Sequence, residues 1–277
     1  MDGAMFKISE YRKWADSVLK GFDTETLPGG WKSGTTHHMV QEWRFMTVLN
    51  LISEMKFKEG CVWLDVGCFP GTMGVLLKEL LPERSSLYGA GLCFSREFVS
   101  KAERVYTGLL EVELDPLNPL AQPLNHKTEL ELPDNSVDLC FAGEVFEHFY
   151  NPLHFISEVS RVLKVGGRLV LTTPNLSYFG NVCRLLNGKS VFEELERSHI
   201  FYHSEWRPHE RVYTAEELNS LMERGKLKNR MVRYIDNHYE TYQKRTLSMF
   251  LHQSFIRMFY FIPRFRPQYI GVFEKES

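Results

Sequence analysis

No stretch of the 277-residue sequence approaches the roughly 18 consecutive apolar residues that cross a bilayer, so the chain reads as soluble, with at most peripheral membrane contact. A surplus of charge is also lacking: 33 Lys and Arg against 35 Asp and Glu leave −2 overall. That balance gives no electrostatic footprint for a nucleic-acid partner, and none is expected. Cysteine is scarce and unpatterned. Cys61, Cys68, Cys93, Cys140 and Cys183 make an odd number with no CxxC pair, which argues against a disulfide framework or a cysteine zinc site. The first twenty residues carry charges throughout and show no apolar leader core, so a cytoplasmic location is expected. There is no internal repeat and no clear domain boundary, and oligomeric state is not legible.

What is present suits one sizeable α/β domain. The apolar fraction of 43% is ordinary for a globular chain. Residues 1–36 have weak periodicity and a turn cluster at Pro28-Gly29-Gly30. Val40, Trp43, Met46, Leu49 and Ile52 predict a helix over 37–57, so residues 1–57 read as an N-terminal helical cap. Cys61 to Val66 is an apolar strand running into a glycine loop, and a helix follows it to Pro82. Ser86–Gly91, Leu109–Leu114, Val137–Phe141 and Arg168–Thr173 read as further strands. Asn151 and Pro152 open a helix that Gly166-Gly167 is expected to end. Helix and strand alternate again at 215–225, 231–235, about 239–262 and 269–273. Alternation of this kind means crossover units in a doubly wound sheet, with ligands at the carboxyl ends of the strands. Residues 176–213 carry few strand signals and read as a lid inserted over that edge.

The loop after the first strand, Gly67-xxx-Gly71-xx-Gly74, lets the backbone turn sharply and approach a ligand. Two residues select among ligands. Phe69 occupies the middle glycine of the dinucleotide fingerprint, and Asp65 would repel a pyrophosphate but attract a cation. A cationic, phosphate-free ligand is therefore favoured over a nicotinamide or flavin dinucleotide.

Leu64-Asp65-Val66-Gly67-Cys68 with Pro70-Gly71 resembles the first motif of class I S-adenosylmethionine-dependent methyltransferases. The resemblance continues through Leu132-Pro133-Asp134-Asn135-Ser136-Val137-Asp138-Leu139, Glu144-Val145-Phe146-Glu147-His148, Arg161 to Gly167, and Leu171-Thr172-Thr173-Pro174-Asn175. The series is similar to the quinone-biosynthesis type and its small-molecule relatives. Pro208 to Leu218 is similar to a histidine-bearing segment in members from bacterial saccharide clusters. The resemblance implies one methyltransferase domain over 1–277 with a Rossmann-like, mostly parallel seven-stranded sheet whose last strand is antiparallel. It implies S-adenosyl-L-methionine as cofactor, held by Asp65, Gly67, Cys68, Phe69, Gly71, Leu92, Cys93, Glu129, Leu130 and Glu144. It also implies methyl transfer, on oxygen, to a small-molecule acceptor of saccharide-like or lipid-linked kind.

The family usually ends its second strand on an acid that grips the ribose. Here the stretch reads Gly89-Ala90-Gly91-Leu92-Cys93, which keeps open a catalytically impaired binding protein of the same fold. Asp115 and Glu129 both compete for a place near the adenine, Asp115 also suiting a turn before Pro116. His148, after the fourth strand, and His209, in the lid, are the candidate catalytic bases for a hydroxyl acceptor. His199 and His203 are four apart but have no evident third ligand, so no metal is assigned. Residues 244–266 mix aromatics with Lys and Arg, a pattern of a helix packed on the sheet or lying on a membrane surface.

Overall fold

The computed structural model describes residues 5–22, 26–27, 31–32, 38–39, 41–92, 94–118, 127–192, 207–236 and 247–277. Near the N-terminus, Tyr11, Ala15 and Leu19 recur every four residues, and this stripe is buried along helix α1 (Ile8–Val18). The weak periodicity of residues 1–36 thus concealed a helix. Two short strands, β1 (Thr26–Leu27) and β2 (Trp31–Lys32), pair antiparallel, and the Pro28-Gly29-Gly30 cluster lies outside the described residues. Helix α2 spans Glu42–Ser53, shorter than the 37–57 expected, and buries most of its length.

The apolar run before the glycine loop becomes β3 (Val62–Val66), and α3 (Thr72–Leu80) follows the loop. Next come β4 (Ser86–Gly91), α4 (Arg96–Ala102), β5 (Gly108–Glu111) and β6 (Val137–Gly143). Ser95 caps α4 by accepting from Phe98 N at 3.1 Å, as its position predicts. Asn151 likewise caps α5 (Pro152–Val162), and β7 covers Leu163–Pro174. The chain continues through α6 (Phe179–Leu186), α7 (Ala215–Glu223), β8 (Leu227–Ile235), α8 (Leu247–Arg257) and β9 (Gln268–Lys275).

Seven strands form one sheet in the order β5-β4-β3-β6-β7-β9-β8. The pairings among β3 to β7 are parallel, whereas β9 runs antiparallel to both β7 and β8. Side chains alternate across the sheet. Trp63, Phe141 and Val170 join one apolar cluster with α1, α2 and α3, while Leu64, Cys140 and Leu171 join a second with α5 and α7. Strands covered on both faces need apolar residues at successive positions, which is why Cys61 to Val66 shows no polar alternation. The crossovers from β3 and β6 leave in opposite directions along the sheet, and a crevice opens at their carboxyl ends.

One boundary differs from the sequence reading. Helix α5 ends at Val162, and Gly166-Gly167 lies inside β7. The β6–β7 register jumps from Val137↔Leu163 to Leu139↔Arg168, so the two glycines form a bulge. Gly166 takes φ +79°, and a Cβ on Gly167 would stand 2.8 Å from the Lys164 carbonyl oxygen. The glycines serve a strand irregularity rather than a helix end. The ends of the 176–213 insertion meet: Asn175 bridges Tyr213, and Leu176 N donates to the Tyr213 carbonyl at 3.1 Å.

Candidate active site

Asp65 lies one residue before the end of β3 and is only 2% exposed. The Tyr106 hydroxyl donates to its Oδ2 at 2.7 Å. Burial pushes the Asp65 carboxyl up to about 7, against a smaller lowering by that hydrogen bond. Gly74, on α3, makes the arrangement fit, because a Cβ there would fall 1.8 Å from the Tyr106 hydroxyl oxygen. Gly67 (φ +72°) leaves the strand in a left-handed conformation, and a Cβ on it would meet Val145 Cγ2 at 2.2 Å. Gly71 is the N-cap of α3. The three loop glycines thus have separate duties: turn, helix entry and clearance for Tyr106. Gly74→Ala is expected to displace Tyr106 and cost about 1–3 kcal/mol of stability by overpacking. A thermal melt checks this, and an unchanged melting temperature would mean the tyrosine is not held there.

One cavity gathers most of the residues the sequence singles out. Asp65, Gly67, Cys68, Phe69, Gly71, Leu92, Glu144 and His148 all line it. Phe69 also packs edge-on against Phe98, with ring centroids 5.3 Å apart. Two expected contacts are elsewhere. Leu130 is buried in the core, where its N–H donates to Glu158 Oε2 at 2.8 Å, and Glu129 is exposed to solvent. Arg161 on α5 fastens this segment through the Leu130 and Leu132 carbonyls, which holds it away from the cavity. Cys93, His199 and His203 lie outside the described residues. Asp115 takes the turn role. Its carboxylate accepts from Asn118 Nδ2 and from the N–H groups of Tyr150 and Asn151, and it does not line the cavity.

The cavity also contains residues the sequence reading missed. Arg44, on α2, is buried and places Nη1 3.1 Å from Glu144 Oε1. Glu144 further accepts from Thr172 Oγ1 at 3.0 Å and Gln268 Nε2 at 2.8 Å, so both its oxygens are engaged. Glu113 is buried and grips Arg207 with both carboxylate oxygens. The β4–β5 register sets Gly91 opposite Glu111, whose exposed side chain is not part of the cavity wall, whereas Glu113 two residues on is. A lone arginine within Trp43-Arg44-Phe45-Met46 was the one signal available for Arg44. Glu113 and Arg207 gave none, being 94 residues apart.

His148 ends a short 3-10 turn after β6. Its Nδ1 lies 3.1 Å from the Pro208 carbonyl oxygen. A carbonyl only accepts, so Nδ1 carries the proton and Nε2 keeps its lone pair. His209 does not line the cavity but packs beside His148, ring centroids 4.8 Å apart. Glu147 completes the group. It is 0% exposed, its Oε2 accepts from Thr173 Oγ1 at 3.0 Å, and its Oε1 has no hydrogen-bond partner among the described residues. That oxygen lies 4.0 Å from His148 Nε2 and 3.9 Å from His209 Nε2. The three ligand atoms fall within 4.8 Å of one another, a spacing that could hold a metal ion although the sequence suggested none. The Glu147 carbonyl accepts from the N–H groups of Glu210 and Arg211, which fixes the returning end of the insertion here.

Comparison with known proteins agrees with this geometry. Residues 64–171 match the family described as Methyltransferase domain (Methyltransf_11). An uncharacterized methyltransferase of Schizosaccharomyces pombe is 32% identical over 104 residues, covering 38% of this chain and 36% of that protein. The demethylmenaquinone methyltransferase of Bacillus licheniformis is 29% identical over 141 residues, covering 50% and 55%. The chain therefore spans well under two thirds of these relatives' length. Among solved structures, an S-adenosylmethionine-dependent methyltransferase from Mesorhizobium loti shares the fold with a TM-score of 0.53 at 14% identity, covering 83% of this chain and 97% of that one. The sheet order of this chain, its glycine loop with the buried Asp65 and the family match agree: residues 64–171 match the methyltransferase domain family, in a fold shared with S-adenosylmethionine-dependent methyltransferases.

Proposed function

We propose that the protein transfers a methyl group from S-adenosylmethionine to a hydroxyl of a small-molecule acceptor, of saccharide-like or lipid-linked kind. The observation that carries the reading is Asp65, a buried carboxylate on the wall of a glycine-lined cavity. A cationic amino-acid moiety fits it, and a pyrophosphate does not. Gly67 and Gly71 leave the backbone bare at the same wall, Phe69 offers a ring face, and Glu113 supplies a carboxylate beside the end of β4 in place of the family's acid. When bound, the cofactor supplies an electrophilic methyl group on a sulfonium.

The chain's own contribution is positioning and proton removal. His148, which lines the cavity and holds Nδ1 on the Pro208 carbonyl, accepts the acceptor's hydroxyl proton at Nε2. Once protonated, Nε2 stands 4.0 Å from Glu147 Oε1. His209 shares that carboxylate and braces the first ring. Arg207, fixed by Glu113, lines the cavity and restricts water there.

A second reading, a binding protein of the same fold without turnover, is motivated by the missing carboxylate at the end of β4. Calorimetry with S-adenosylmethionine and S-adenosylhomocysteine, followed by methyl-release assays over a panel of hydroxylated acceptors, separates the two. Binding of both nucleosides with turnover is expected. Binding with no turnover on any acceptor would favour the second reading, and no binding of either nucleoside would overturn both.

A further inference from the structure

Helices α6 and α8 meet through an aromatic stack that leaves exposed apolar side chains beyond it. Phe179 stacks on Phe259 with centroids 3.8 Å apart and touches Phe255 and Phe265 at 6.1 and 5.5 Å. On α6, Leu186 is seven residues past Phe179 and so continues the same face. On α8, Leu251 and Phe255 share a face, and Met258 continues it just past the helix end. The two apolar faces join at the Phe179–Phe255 contact. Yet their outer members face solvent: Leu186 is 81% exposed, Phe261 77% and Met258 68%, with Leu185 and Leu251 also exposed. Burial of such side chains is favourable, and this fold leaves them in solvent.

The two segments that build the surface carry charge of one sign, and among the described residues Asp236 is the acid that acts on it, through Tyr260. Residues 175–192 and 247–273, which build it, contain no Asp or Glu. They contribute the exposed cations Arg184, Lys189 and Arg264. Arg184 Nε donates to the Ser190 carbonyl and Arg264 lies over the Phe265 ring, and among the described residues neither they nor Lys189 form an ion pair. The whole chain carries −2, so this is a local departure from its balance. Asn175, which follows β7, ties the surface to the carboxyl edge of the sheet, its Nδ2 donating to the Arg264 and Arg266 carbonyls at 2.7 and 2.8 Å.

We propose that this face docks on an anionic lipid bilayer, with Leu186, Leu251, Met258 and Phe261 entering the interface and Arg184, Lys189 and Arg264 meeting lipid phosphates. The occupant follows from charge. Large exposed apolar side chains flanked by exposed cations, on two segments that carry no acid, suit insertion among acyl chains beneath anionic headgroups. No helix among the described residues is long and apolar enough to cross a membrane, so the contact is with one leaflet. The proposal concerns the surface and stands whichever acceptor is methylated.

Flotation of the full chain with phosphatidylcholine vesicles, with and without phosphatidylglycerol, tests it. Binding to the mixed vesicles and not to phosphatidylcholine alone is expected. Arg184→Gln, Lys189→Gln and Arg264→Gln should each weaken partitioning about fivefold at low salt. The combined Leu186→Glu, Met258→Glu and Phe261→Glu variant should abolish it while keeping the wild-type circular dichroism and melting temperature, since all three side chains are exposed. Equal binding to both vesicle types, or to neither, would overturn the proposal. So would a wild-type dimer in sedimentation that the glutamate variant dissolves without any vesicle binding, because the face would then be a self-association surface.

Discussion

Asp65→Asn is expected to raise the melting temperature of the free protein while weakening S-adenosylmethionine binding about 10- to 100-fold, the worth of a hydrogen bond to a charged group. The two effects share one cause. Burial moves the Asp65 carboxyl from 3.8 to about 7, which corresponds to about 4 kcal/mol against the ionised form, an upper bound on what the native state forgoes above neutrality. For a carboxyl whose folded value is raised, its stabilising contribution is complete below pH 3.8 and is lost as pH rises to about 7. The asparagine keeps the shape and still accepts from Tyr106, but carries no charge to desolvate. Its advantage in melting temperature should therefore grow between pH 4 and pH 7 and level off above. Calorimetry gives the other half. Only the ionised carboxyl attracts an ammonium, so wild-type affinity should rise about fivefold from pH 6 to pH 7, following the ionised fraction of a group titrating near 7. The variant should show no such rise. A stability difference that stays flat with pH, or an unchanged affinity, would remove Asp65 from the cofactor site.

The second large effect concerns the proton. His148→Ala should lower kcat by about 10²-fold or more, the usual worth of a positioned general base, with the cofactor Kd within about twofold of wild type. Glu147→Gln should lower kcat by about 10-fold, because the carboxylate facing both imidazoles would become a neutral amide. The fold should survive that change, since the amide fills the same volume and can still accept from Thr173. His209→Ala should reduce kcat less than His148→Ala, since its ring braces His148 and does not line the cavity. Full turnover by His148→Ala would show that the hydroxyl proton leaves by another route. Measuring kcat before and after incubation with a chelator distinguishes a metal held by Glu147, His148 and His209 from direct base chemistry: loss of activity restored by a divalent cation would assign the group to the metal.

The glycine-loop wall of the cavity was legible in the sequence because it is local. Asp65, Gly67, Cys68, Phe69 and Gly71 lie within seven consecutive residues, and a strand–glycine–helix unit dictates their arrangement. His148 and Glu144 were readable for the same reason, as they follow directly on a buried strand. Glu129 and Leu130 lie away from the cavity wall; the sequence does not say which way an irregular loop is pulled. Arg161 and Glu158, about 30 residues on, decide that by binding its backbone. The Gly166-Gly167 pair failed because a glycine doublet marks a helix end and a strand bulge equally well.

The sequence alone determined the opening feature of the site: a carboxylate leading into a glycine loop, with an aromatic ring where a dinucleotide needs a glycine, selects a cationic ligand. Tertiary structure decided everything that depends on distant residues meeting. Tyr106, 41 residues from Asp65, approaches only because Gly74 leaves room for its hydroxyl. Glu113 meets Arg207, Arg44 meets Glu144, and Glu147 sits between two histidines 61 positions apart. Local pattern fixes which backbone shape a segment takes, because steric and hydrogen-bond preferences act within a few residues. Which charges end up facing each other inside a low-dielectric cavity is set by packing across the whole sheet, and no short-range pattern encodes it.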